Sequence, residues 1–93
     1  PFSEWMRQET NLSESSVYKY VGAVYKITNE LLKMKPEYST VAELVKNEDL
    51  NELKNDWLAV PENKALDVRG KSMYSSGFKK LIEFFNSISN SLD

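Results

Sequence analysis

The chain has 93 residues, 41% hydrophobic and 28% charged, with no cysteine, no histidine, and twelve basic against fourteen acidic side chains for a net charge of −2. That composition describes one small globular domain with one core. The missing imidazoles and thiolates exclude His-based triads, thiol nucleophiles, disulfides, zinc–cysteine sites and iron–sulfur clusters.

The sequence opens at Pro1 without an initiating Met, which reads as a segment cut from a longer protein. Its first residues, Pro-Phe-Ser-Glu-Trp, have neither the basic nor the apolar region of a signal peptide. No apolar run reaches the roughly eighteen residues of a membrane span, so a cytoplasmic location is expected. Phe2, Trp5 and Met6 around Ser3 have helical spacing and predict a short first helix over about 3–9, anchored by Trp5. Asn11-Leu12-Ser13 interrupts it. Ser13 is a good N-cap for a second helix from Glu14 to about Lys33. Val17, Val21, Val24, Thr28 and Leu31 form the expected apolar stripe of that helix, widened by Tyr18, Tyr25 and Leu32. Gly22 lies in its middle, where glycine costs about 1 kcal/mol against alanine. A closely crossing helix is the favoured reason for that glycine, and a ligand's close approach the other.

Pro36 ends the segment, and Thr40 with Glu43 forms a capping box for a third helix over about 40–46. Leu50, Leu53, Trp57 and Leu58 recur at helical intervals behind Glu48 and Asp49, which predicts a fourth helix near 48–58, stopped by Pro61. Residues 61–71 are poor in apolar side chains and read as loop with at most one helical turn. After Ser72, expected as a cap, Tyr74, Phe78, Leu81, Phe85, Ile88 and Leu92 step by three and four, predicting a long buried final helix that frays after about Asn86. The fold class is all-α, a compact bundle of four to five helices with a long C-terminal helix.

Charge is distributed unevenly. Residues 37–56 carry a net of −4 and residues 61–82 a net of +3. On the second helix Lys19, Lys26 and Lys33 are seven residues apart and share a face, with Tyr18 and Tyr25 beside them. Such a stripe suits phosphates, with tyrosine hydroxyls as further donors, although a solvated helix face has the same pattern. Arg69, Lys71, Lys79 and Lys80 surround the start of the final helix, whose first amides, with the Ser75 and Ser76 hydroxyls, are expected to be open to an anion. Glu48-Asp49-x-x-Glu52 has carboxylates on one helix face but reads better as compensation of a helix dipole than as a metal site. Glu52-Leu53-Lys54 and Glu62-Asn63-Lys64 match the Glu-x-Lys form of metal-dependent nucleases only by chance, since no strand accompanies them. No active site, metal or cofactor is expected in this chain.

Two stretches carry a resemblance. Leu12-Ser13-Glu14-Ser15-Ser16-Val17-Tyr18-Lys19-Tyr20, behind a short helix holding Trp5, resembles the LSExTxxxY opening of the helical, SAM-like core-binding domain of tyrosine recombinases, with Ser16 in place of Thr. Met73-Tyr74-Ser75-Ser76-Gly77-Phe78-Lys79-Lys80-Leu81-Ile82-Glu83-Phe84-Phe85 resembles the YSxAxKxYxxFL helix that ends a similar domain in some restriction endonucleases. The resemblance implies an accessory domain that grips duplex DNA while the remainder of the polypeptide does the chemistry. Ser13, Ser16, Lys19 and Lys26 would then touch backbone or groove, and Arg69, Lys71, Ser72, Ser75, Lys79 and Lys80 would touch phosphate. The alternative is a protein-interaction or dimerisation module in which acidic and basic faces meet, with Trp57, Phe84 and Phe85 as anchors.

Overall fold

The computed structural model describes residues 2–92, with side chains through Ser89. Those residues form six helices and no strand: α1 (Phe2–Glu9), α2 (Glu14–Met34), α3 (Val41–Asn47), α4 (Leu50–Ala59), α5 (Pro61–Arg69) and α6 (Met73–Leu92). The fold is an all-α bundle measuring 33 × 32 × 17 Å. The short dimension fits two layers of helices at about 8–10 Å between axes. None of the helices is long and apolar enough to cross a membrane among the described residues.

The helix starts follow the expected chemistry up to α4. The Ser13 hydroxyl accepts a hydrogen bond from the Ser16 amide at 3.2 Å and Thr40 accepts one from Glu43 at 3.1 Å. The Asp49 carboxylate accepts from the amides of Asn51 and Glu52, so Glu48 belongs to the link before α4.

The two long helices, α2 and α6, make the most extensive contact in the bundle, and α1 lies against both. The core joins Ile27 and Leu31 of α2, Leu44 of α3, Leu53 and Trp57 of α4, and Phe78 and Leu81 of α6. Trp5 is half-buried, stacked on Phe2 and tilted against Phe84, while Met6 is the fully buried residue of α1.

Four expectations are corrected. Residues 61–69 are helix, not loop: Pro61 opens α5 at a position where its missing amide hydrogen is harmless, while the weak apolar pattern leaves Val68 65% exposed and only Asp67 buried. The buried face of α2 is Val17, Ala23, Ile27, Thr28 and Leu31, which leaves Tyr18 and Tyr25 outside and Val21 at its exposed margin. That rotation follows from the position of α6, which seats on Ala23 and Tyr20.

Gly22 does not mark a helix crossing; a Cβ there would meet nothing within 4 Å. The seam glycine is Gly77, where a Cβ would lie 3.4 Å from the Ala23 Cβ and the Tyr20 Cα. Finally, α6 is helical through Leu92, against the fraying expected after about Asn86; Phe78 and Leu81 are buried, Ile88 is 38% exposed, and the Leu92 side chain lies outside the described residues.

Candidate nucleic-acid interface

The outer face of α2 lies opposite its core face and repeats a two-residue unit. Tyr18-Lys19 and Tyr25-Lys26 are seven residues apart, about 10 Å along the axis, with Gly22 between them. Tyr18 is 82% exposed and Tyr25 72%, values far above those usual for a large aromatic. Lys19, Lys26 and Lys33 are exposed along one flank of this ridge, as the seven-residue spacing requires. Lys19 and Lys33 form no ion pair among the described residues.

Lys26 is tied inward. Its ammonium donates to Glu30 at 2.7 Å, and the other Glu30 oxygen accepts from the indole N–H of buried Trp57 at 2.9 Å. The Glu30 carboxylate is the main cause holding the Lys26 pKa above its ordinary value, with burial opposing it and the Tyr74 phenol adding to the shift. Burial pushes the Glu30 carboxyl upward, but the hydrogen bonds from Lys26 and Trp57, with the Lys26 and Lys33 charges, outweigh it and leave its pKa lowered.

Tyr74 links the two basic patches. Its ring stacks obliquely on Trp57 at 5.8 Å between centroids, and a Cβ at Gly70 would lie 3.5 Å from that ring. The turn holding Arg69 and Lys71 therefore lies on the Tyr74 side of Lys26, the middle lysine of the α2 stripe. Arg69 and Lys71 are exposed, and neither forms an ion pair among the described residues.

The start of α6 is not the open anion site expected. Lys71 and Ser72 have left-handed backbone, with φ of 55° and 65°, and Ser72 makes no side-chain cap. Instead buried Asp67 reaches from α5, and its Oδ1 accepts from the Ser75 amide at 2.9 Å, while the Ser75 hydroxyl donates to the Ser72 carbonyl. A protein carboxylate already sits at the helix end on the Ser75 amide, which disfavours a phosphate there.

The other candidate residues are dispersed. Ser13 and Ser16 face each other at the far end of α2, the Ser13 hydroxyl donating to that of Ser16 at 3.1 Å. Lys79 is about 200° around α6 from Gly77 and points away from α2. Lys80 is paired with Glu83 at 2.9 Å. Of the residues offered as interaction anchors, Trp57 is fully buried, and Phe84 and Phe85 are half-buried in an aromatic cluster with Phe2 and Trp5.

The acidic segment is partly neutralised from within. Lys35 pairs with Glu48 at 3.2 Å and Asp56 at 3.9 Å, Tyr38 donates to Glu48 at 3.0 Å, and Asp49 serves its own helix. Among the described residues no three carboxylates gather as a metal site. One feature escaped the sequence reading, an open groove of about 570 Å³ between α3 and α6 with Ala42, Val45, Leu50 and Phe85 in its wall. Its residues come from distant parts of the chain, and only the one-turn spacing of Ala42 and Val45 hints at it. No known protein family, curated protein or solved structure matches the chain.

Proposed function

We propose that this chain is an accessory DNA-binding domain that holds duplex DNA by its backbone, along the outer face of α2 and the adjoining α5–α6 turn. The observation that carries the reading is the pair of exposed Tyr-Lys units on α2, continuous through Tyr74 with the turn that bears Arg69 and Lys71. Lysines supply charge to phosphates without reading sequence, and tyrosine hydroxyls add directed donors. The resemblance to the helical DNA-gripping domains of recombinases and restriction endonucleases supports the same reading. Ser72 and Ser75 drop to a minor role, because Asp67 holds the Ser75 amide that would have met a phosphate.

Four phosphate contacts, from Lys19, Lys33, Arg69 and Lys71, unpaired among the described residues, give a salt slope near −3.6 and a loss of about 150-fold in affinity between 50 and 200 mM salt. Fluorescence anisotropy of a labelled duplex measures this directly. Lys19→Ala and Lys33→Ala each lower the slope by about one, whereas Lys79→Ala leaves it unchanged. An affinity indifferent to salt, or one lost on Lys79→Ala and kept on the α2 changes, removes the proposal.

A further inference from the structure

We infer that Gly22 is the point of closest approach between α2 and a DNA strand, a low saddle over which one sugar–phosphate backbone passes between Tyr18 and Tyr25. The inference rests on the DNA-binding reading and specifies where on the face the strand lies.

The fold itself does not require a glycine at position 22. Gly22 is exposed in the middle of a 21-residue helix, its backbone is helical, and a Cβ would meet nothing within 4 Å. Alanine would therefore fit without strain and make a better helix. The other glycine in a helix, Gly77, has a structural reason in the α2–α6 seam; Gly22 has none inside the molecule.

What surrounds it supplies an external one. Tyr18 is one turn before and Tyr25 one turn after, both largely exposed, and they stand as two walls about 10 Å apart with the bare helix backbone as the floor. Lys19 and Lys26 lie beside the same walls, Lys19 without an ion pair among the described residues and Lys26 with its ammonium held by Glu30. A floor without a side chain, two phenol donors and the Lys19 cation match a phosphodiester strand in shape, hydrogen bonding and charge. A second copy of the chain is a poorer fit: in its acidic α3–α4 segment Glu48, Asp49 and Asp56 are already engaged with Lys35, Tyr38 and the α4 amides, which leaves Glu43 and Glu52 to meet the ridge.

The test sets stability against binding. Gly22→Ala and Gly22→Leu are expected to raise the thermal midpoint, because both are stronger helix formers in open space. Anisotropy with a 20-base-pair duplex at 100 mM salt is expected to show binding weakened severalfold by Gly22→Ala and at least tenfold by Gly22→Leu, with Asn55→Leu on α4 as an equally bulky control that binds as wild type. Wild-type affinity in Gly22→Leu overturns the saddle while leaving the DNA reading intact. No binding by the unaltered chain refutes the DNA reading itself. Conversion of a wild-type dimer to a monomer by Gly22→Leu, seen in sedimentation, assigns the face to self-association and also overturns the inference.

Discussion

Removing the carboxylate of Asp67 tests how α6 begins. Local rules give the cap to Ser72, whereas the structure gives it to Asp67, which is 4% exposed and accepts from the Ser75 amide at 2.9 Å. A hydrogen bond to a charged acceptor is worth about 1.5–3 kcal/mol, and the loss is felt fully where the orphaned donor is shielded from water. Asp67→Ala is therefore expected to destabilise the domain by about 2 kcal/mol, lowering the thermal midpoint by about 8–16 °C at this chain length. Ser72→Ala removes a hydroxyl that is exposed and accepts from no helix amide, and should stay within about 0.5 kcal/mol of wild type. Ser72→Gly should stabilise slightly, because a left-handed backbone costs a non-glycine residue about 1–2 kcal/mol and the glycine gives part of that back as chain entropy. Thermal and urea unfolding followed by circular dichroism at 222 nm measure all three. If Ser72→Ala costs more than Asp67→Ala, the assignment of the cap is wrong.

Two further outcomes follow from the packing and the charges. Gly77→Leu drives extra carbons into a seam whose Cβ position already lies 3.4 Å from Ala23 and Tyr20; overpacking of about 1–3 kcal/mol exceeds the helix-propensity gain, so the urea midpoint should fall, and an unchanged midpoint would contradict the seam. The lowered pKa of Glu30 means its charged form stabilises the fold above the ordinary value of 4.5, and that contribution disappears as pH falls through the lower folded-state pKa. The difference in thermal midpoint between wild type and Glu30→Gln should therefore be largest above 4.5 and shrink below it; a gap independent of pH would show that the Lys26–Glu30–Trp57 link adds nothing electrostatic.

Most of the fold was legible because its signals are local. Ser13 and Pro36 bracket α2 within a residue or two, Thr40 and Glu43 mark α3, and the three-and-four steps from Tyr74 place α6. Features failed to show where the deciding partner lies elsewhere in the chain. Pro61 ends one helix and starts the next with equal ease, and α5 offers no apolar stripe to break the tie. Glycine in a helix has the same letter whether it faces open space, as at Gly22, or a neighbouring helix, as at Gly77. Asp67 reaches a helix that begins six residues later, so no capping rule of short range finds it. The lysine stripe was visible from its spacing, whereas the exposure of Tyr18 and Tyr25 required knowing which side of α2 receives α6.

The α2–α6 seam has a consequence for recognition. Because Gly77 lets the two longest helices approach closely, the outer ridge of α2 is braced along its length by a strut of similar length. On the proposed reading, a strand docking on that ridge meets a helix already held by its neighbour, so binding would cost the protein little ordering entropy.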